Sequence, residues 1–340
     1  LRKRAFTNGA AAILIASFFM GCFTASAAAK DGKLVSLKVA MSPFLSWAPI
    51  FIGHAEGHFK KHGIDLDLVR TSGNTEAVPA LISGKLDVVP GMVAPGYFNM
   101  MGRGADIRFV ADKGHVPKEG CSYRGFLARR DLVESGKLAS LSQIRGLRIA
   151  AERTSTSFYD VNRLLASAGL TEKDVEFVDV PYAAKLEAFK QGAIDVATAS
   201  EPWLTMILDD GHAVLWKTDR EMSPDNQHSF ILFGPRLLKE DRDLGVRFLM
   251  GYLEAVHQYN QGKTERNVAI LAEQTELDPD VVRRACWVPV RDDCTMIVES
   301  IVEYEKWAVE QKLLDQVVPA EKFWDPSLLE EAQKRLQSGQ

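Results

Sequence analysis

Cysteine is scarce in this chain, four among 340 residues, and the spacing of the four matches no zinc pattern, so metal binding is not expected. Basic charge is not in excess either. Against 45 Asp and Glu stand 41 Lys and Arg, with no basic cluster to overturn the balance, which argues against nucleic acid or anionic lipid as a partner. Beyond residue 29 no apolar run approaches the roughly 20 residues of a spanning helix. Recognisable catalytic constellations are missing as well: there is no nucleophile elbow, no phosphate loop and no paired-carboxylate arrangement. His54, His58 and His62 recur at one-turn spacing, but the pattern is not His-Glu-x-x-His, and two turns set the outer pair about 12 Å apart, too far for one tetrahedral ion. They are expected on a solvated helix face. What remains is ordinary globular material, 46% hydrophobic and 25% charged, long enough for two domains with separate cores.

The first 29 residues differ from the rest. Arg2, Lys3 and Arg4 are followed by an apolar run from Ala10 to Met20 and by Ala25-Ser26-Ala27 or Ala27-Ala28-Ala29, the three parts of a cleavable export signal. Without it, 38 of the 41 basic residues face 45 acidic ones, and the product is expected to be soluble outside the cytoplasmic membrane. Two finer readings stay open. Phe18-Phe19-Met20-Gly21-Cys22 resembles a lipoprotein processing box that would acylate Cys22, although Phe23 is bulky and the alanine-rich site would then be redundant. Lys3-Arg4-Ala5-Phe6 faintly resembles a twin-arginine signal, and a plain basic start accounts for it too. After cleavage Cys121, Cys286 and Cys294 remain; a Cys286–Cys294 disulfide is expected, leaving Cys121 over.

The most informative feature is a pattern that occurs twice, about 110 residues apart. Leu37 to Met41 reads as a strand, followed by an apolar helix from Ala48 to about Lys61, Gly63-Ile64, a strand from Asp65 to Val69, and a helix from Glu76 that ends in Gly84-Lys85-Leu86-Asp87 before Val88-Val89. Leu147 to Ala151, a helix from about Ser157 to Ser167, Gly169-Leu170, a strand from Val175 to Val180 and Gly192-Ala193-Ile194-Asp195 before Val196-Ala197 say the same thing again. A glycine stop followed by an apolar run is how a helix hands over to a buried strand. Two βαβαβ units predict two lobes with a cleft between them. The strand Ile107 to Ala111, a polar stretch Asp112 to Arg124, and then Gly125 to Ala128 are expected to form the first crossing, and Ser229 to Phe233, stopped by Gly234-Pro235, the return. Lobe 1 would thus comprise residues 33–124 completed by 235–340, and lobe 2 residues 125–234. Leu244, Phe248, Leu249, Tyr252, Leu253 and Val256 open a C-terminal series of helices that packs on the lobes.

Ligands of open parallel sheets bind beyond the carboxyl ends of strands. The rule selects Ser42 to Trp47, Thr71 to Thr75 and Gly91 to Pro95 in the first half, and Glu152 to Ser157, Pro181 to Ala183 and Ser200 to Trp203 in the second. The candidate ligand-binding residues are Ser42, Ser46, Trp47, Gly73, Asn74, Met92, Thr154, Ser155, Thr156, Ser157, Tyr182, Glu201 and Trp203. Thr154 to Ser157 open a helix and could offer donors to an anion or serve as a plain cap. Glu201 could pair with a ligand amine, hold a neighbouring lobe, or act as a helix N-terminal acid. Trp47 and Trp203 could wall a ligand or fill the lip of a core, and Phe44, Tyr97 and Tyr182 are further aromatic candidates for the wall.

The segments Ala48-Pro49-Ile50-Phe51-Ile52-Gly53 and Gly57-His58-Phe59-Lys60-Lys61-His62-Gly63-Ile64-Asp65, with Glu201-Pro202-Trp203, resemble the periplasmic solute-binding proteins of nitrate, sulfonate and taurine ABC importers, a superfamily shared with binders of thiamine-pyrimidine precursors. The likeness covers roughly residues 35 to 260. It implies a two-lobed α/β clamp, mostly parallel in each lobe, a monomer without cofactor or catalysis, that delivers a small solute to membrane permease subunits. The family's ligand loops map onto Ser42 to Trp47, Gly73 and Asn74, the Thr154 to Ser157 helix start and Glu201. The first-lobe loops among them hold no Lys or Arg, and Arg153 is the one basic residue in the core of the set, so an anion would rely on neutral donors and helix ends. A heteroaromatic ligand is the alternative within the class. A pyrimidine-synthase-like enzyme on the same scaffold would need a cysteine-rich motif that these four cysteines do not form, and the leader argues against a cytoplasmic regulator's effector domain.

Overall fold

The computed structural model describes residues 33–71, 74–153 and 155–339, without the side chains of Asn74 and Thr75. The expected leader and Cys22 lie outside the described residues; everything below concerns the compact unit Leu34–Gln340. In chain order the strands are β1 (Val35–Met41), β2 (Ile64–Arg70), β3 (Val88–Met92), β4 (Arg108–Val116), β5 (Arg124–Arg129), β6 (Arg148–Ala150), β7 (Glu176–Val178), β8 (Val196–Ser200), β9 (Ala213–Thr218) and β10 (Asn226–Phe233). They form two sheets of five, ordered β2-β1-β3-β10-β4 and β7-β6-β8-β5-β9. In the first, β1 is parallel to β2 and β3, while β10 is antiparallel to β3 and β4. The second repeats the pattern, with β6 parallel to β7 and β8, and β5 antiparallel to β8 and β9.

The repeated Gly-x-x-Asp has a physical reason. Gly84 and Gly192 adopt φ of +71° and +63°, the left-handed region that ends a helix at low cost only for glycine. Three residues on, Asp87 Oδ2 accepts from Lys38 N at 2.8 Å, and Asp195 Oδ2 from Arg148 N at 2.9 Å. Each aspartate thus ties the central strand that follows it, β3 or β8, to the neighbouring first strand of its repeat, β1 or β6. Arg236 balances the first charge, Arg148 and Arg129 the second.

Four expectations change. Ser229 to Phe233 does not cross between lobes: Phe230 pairs with Gly91 and Ile231 with Pro90 in the first sheet, so residues 226–234 belong with the first lobe. An apolar strand buried on both faces carries no mark of which sheet receives it. Likewise β4 runs on to Val116 because Asp112 and Lys113, which read as loop, are buried inside it. The helix expected from Ala48 to Lys61 is broken into Ala48–Ala55 and His58–Lys61 by Gly57 at φ +76°. Its histidines are not on a solvated face; His58 and His62 lie 3.7 and 3.3 Å from Glu254 of the helix Arg242–Tyr259.

The disulfide expectation is corrected as well. Cys286 is bonded to Cys121, their Cα atoms 5.9 Å apart, and Cys294 is a buried free thiol. Cys294 is instead drawn inward by its backbone, whose carbonyl accepts from Asp112 N at 2.7 Å, and its side chain joins the core beneath the first sheet.

Leu244, Phe248, Leu249, Tyr252, Leu253 and Val256 form the buried stripe of the helix Arg242–Tyr259, which packs on the first sheet. On the opposite face the helix Val298–Glu310 contributes Ile301, Tyr304 and Ala308. Its rings Tyr304 and Trp307 also meet Tyr159 of the second lobe, at 5.3 and 4.9 Å. Buried Glu305 of this helix accepts from Val318 N through one oxygen, while the other has no partner. Burial pushes its carboxyl up to about 7. Since the raised value means that folding favours the neutral acid, this stability is fully present below the free carboxyl value and lost as pH rises through 7. Glu305→Gln is therefore expected to raise the melting temperature at pH 8 and to leave it nearly unchanged at pH 4; equal shifts at both pH values would contradict this.

Candidate ligand cleft

A cavity of about 640 Å³ lies where the carboxyl ends of the strands in the two sheets face one another. From the first lobe it is walled by the turn after β1 (Ser42, Phe44, Ser46, Trp47) and by Met92 to Tyr97 after β3. From the second come Glu152, Ser155, Tyr182, Ser200 and Glu201, and the floor includes Tyr123, His228 and Ser229. Phe44 and Tyr182 meet edge to face across it, 6.4 Å between centroids. The wall is mainly aromatic and aliphatic with a ring of hydroxyls, the usual make-up of a small-molecule site.

The predicted residues sort as follows. Ser42, Ser46, Trp47, Met92, Ser155, Tyr182 and Glu201 line the cavity. Ser155 caps the helix Thr156–Ser167, accepting from Ser157 N at 3.1 Å and donating to Glu152 O at 3.0 Å, so the plain cap and the cavity-wall position coexist. Thr156 and Ser157 lie behind the wall. Thr156 Oγ1 is 2.7 Å from His228 Nε2, a contact between the lobes, and Ser157 Oγ is 3.4 Å from Tyr182 Oη. Trp203 packs half-buried against the second-sheet core and is not among the walls. Gly73 and Thr154 lie outside the described residues, as does the side chain of Asn74, whose backbone opens the helix Asn74–Ile82.

Glu201 borders the cavity, yet its carboxylate is already engaged. Oε1 accepts from Cys286 N at 3.0 Å and Thr205 Oγ1 at 2.9 Å, and Oε2 from Thr205 N at 3.1 Å. It is a helix N-terminal acid that also clasps the segment carrying the disulfide. Burial raises its carboxyl, against the pull of those bonds.

Two lysines complete the site and were not selected from the sequence. Lys113, fully buried in β4, points its Nζ at Ser46 Oγ (3.1 Å) and Ser46 O (3.4 Å) and lies 3.8 Å over the Trp47 ring. Lys185 in the helix Tyr182–Lys190 donates to Thr198 O at 2.8 Å and lies 3.8 Å over the Tyr182 ring. Each lobe therefore places a lysine ammonium behind an aromatic wall of the cleft, and burial holds both below the usual lysine value. Burial alone would raise the Tyr182 hydroxyl, but Lys185, the Ser157 and Ser200 bonds and Arg124 outweigh it and hold the hydroxyl below its usual value. A more acidic hydroxyl is a better donor. His228 is kept neutral by burial and by Arg124 and Lys113. The buried Arg124 guanidinium is paired with Asp160. The sequence offered for Lys113 only its place two residues beyond the apolar run Phe109-Val110-Ala111, and nothing marked Lys185. Among the described residues no group of three or more His, Cys, Asp or Glu could hold a metal, and no helix is long and apolar enough to cross a membrane.

Two five-stranded α/β sheets closing on a cavity define the two-lobed periplasmic-binding-protein fold. The chain belongs to the NMT1-like family, whose profile matches residues 30–273. Among curated proteins it is similar to YtlA of Bacillus subtilis, named as a candidate binding protein, with 20% identity over 309 residues and 89% of each chain covered. Among solved structures, the ligand-binding component of an ABC-type import system from Staphylococcus aureus, solved with zinc bound, superposes with a TM-score of 0.73 at 17% identity, covering 87% of this chain and 98% of that one. The periplasmic aliphatic sulphonate-binding protein SsuA of Escherichia coli gives 0.71 at 18%, covering 86% and 92%. The fold is not confined to binding proteins: the desulfurization enzyme DszB gives 0.63 at 13% identity, covering 88% and 99%.

Proposed function

We propose that this protein is the solute-capturing component of an ABC-type importer, working outside the cytoplasmic membrane as a monomer, and that it holds a small organic anion of the sulfonate type without transforming it. The observation that carries this reading is the cavity itself. Its 640 Å³ falls in the range of small-molecule sites, about 300–1,000 Å³, far more than an inorganic ion such as nitrate fills. Its walls offer rings, methionines and hydroxyls, and the two lysines behind them make the enclosed space favourable to negative charge. No cysteine lines it among the described residues, so no thiolate is at hand for nucleophilic catalysis. The Cys121–Cys286 bond suits an oxidising compartment. Delivery would require permease subunits in the membrane to recognise the closed form.

A second reading, an uncharged heteroaromatic solute of the thiamine-pyrimidine type, draws support from the rings of Phe44, Trp47, Tyr97 and Tyr182 around the same space. Native mass spectrometry of protein purified without dialysis decides between them. The expected result is a retained solute of one negative charge, released unchanged on denaturation; a neutral heteroaromatic would favour the second reading, and a chemically altered product after incubation would overturn capture without turnover.

A further inference from the structure

Lys113 is a cation with an incomplete environment. It is fully buried and makes no ion pair within 4 Å among the described residues. Its hydrogen-bond acceptors are the hydroxyl and carbonyl oxygens of Ser46, and the Trp47 ring lies beneath it. The neighbouring charges do not neutralise it. Asp112, next to it on β4, is occupied by Gly114 N at 2.7 Å, Gln227 Nε2 at 2.7 Å, Arg291 N at 2.9 Å and His115 Nδ1 at 3.2 Å. From β10 it faces His228, which burial keeps neutral; the turn Leu45–Trp47 brings no titratable group. Isolated buried charge is costly unless something compensates it.

The direction of the Ser46 bond shows where the compensation enters. An ammonium has donors and no acceptor, so Ser46 Oγ must accept from Lys113, which frees its own hydrogen for an acceptor. Ser46 lines the cavity. An oxygen docked there would receive a hydrogen bond from a hydroxyl polarised by the cation behind it, and a negatively charged oxygen would gain most.

We propose that Ser46 is the docking point of the ligand's anionic group and that Lys113, acting through Ser46, is its buried counter-charge, so that the cleft selects a singly charged oxyanion carrying an apolar or aromatic body and binds it together with a proton on Lys113. This rests on the capture reading above and specifies its ligand chemistry. Burial drives the empty-site Lys113 ammonium down to about 7, partly offset by Asp112. Near neutral pH it is therefore charged only in part, and an anion arriving at Ser46 draws the missing proton onto it. Lys113 is a positioning and selecting residue, not one that touches the solute.

The test titrates the full chain by calorimetry with two probes of equal shape, benzenesulfonate and the neutral methyl phenyl sulfone, from pH 6 to 9, in wild type, Lys113→Met, Lys113→Arg and Ser46→Ala. Wild type is expected to prefer the sulfonate by about tenfold or more, the worth of one charge-assisted bond. The preference should shrink as pH rises above 7, and the heat of binding should vary with buffer ionisation enthalpy, reporting proton uptake. Lys113→Met should lose the preference at every pH, Ser46→Ala should lose most of it, and Lys113→Arg should keep it with a flat pH profile. The inference is overturned if wild type shows no preference, binding of neither probe included, or if Lys113→Met retains it. Should the Lys113 variants fail to fold, the wild-type profile decides alone: a flat sulfonate affinity from pH 6 to 9 rejects the proposal. Conversion of benzenesulfonate to another compound would remove the capture reading while leaving the Lys113 assignment intact.

Discussion

Asp112→Ala is expected to destabilise the protein by about 3–5 kcal/mol, the range for breaking a buried, hydrogen-bonded charge. Asp112 is fully buried in β4. Its two oxygens join three stretches of chain: β4 itself through Gly114 N, β10 through Gln227 Nε2, and the segment after the disulfide through Arg291 N. Two of the donors are main-chain N–H groups, and a methyl side chain would leave both without that acceptor in a place water does not reach, at about 1–3 kcal/mol each. Lys113 would also lose its one nearby negative charge. Asp112→Asn keeps an accepting oxygen and should cost less. Equilibrium urea unfolding measures both; a loss below about 1 kcal/mol for the alanine variant would mean that these donors find other partners.

Replacing both Cys121 and Cys286 with serine is expected to cost about 2–5 kcal/mol, the usual loss on removing a native disulfide. The bond spans 165 residues, enclosing the whole second lobe, so its absence releases a long loop in the unfolded chain. It also lies beside the Glu201 clasp, since Cys286 N is the donor to Glu201 Oε1. The double variant should melt at a lower temperature, and dithiothreitol should lower the wild-type melting point to match while leaving the variant unaffected. Identical melting of wild type with and without reductant would refute the role assigned to this bond.

The architecture was legible because its signals are local. Gly84 and Gly192 mark helix ends by a conformation other residues avoid, and Asp87 and Asp195, three residues on, each tie a strand by a main-chain bond. The turn after β1 could be placed at the cleft for the same reason, as the loop beyond a recognisable strand. What escaped was non-local. Cys294 is near Cys286 in sequence, yet Cys121 is near it in space, and that proximity arises only when the first crossing passes the C-terminal segment. Phe230 to Phe233 reads as a strand, but its pairing with β3 and β4 is a property of the assembled sheet. Glu201 reads as a ligand group because a carboxylate after an apolar strand has no partner nearby in sequence; the partners, Thr205 and Cys286, come from the next turn and from 85 residues away. Lys113 was hidden by its own charge, which reads as loop unless one knows that Ser46 and Trp47 fold over it.

A protein that captures its solute between two lobes, as proposed above, should close on the solute and open without it. Small-angle X-ray scattering of the full chain tests this most directly, first as purified, then after the solute has been stripped by unfolding and refolding, and again with the stripped solute returned. The stripped protein is expected to show a larger radius of gyration, with a saturable return to the compact value on adding the solute back. The same radius in all three states would contradict it.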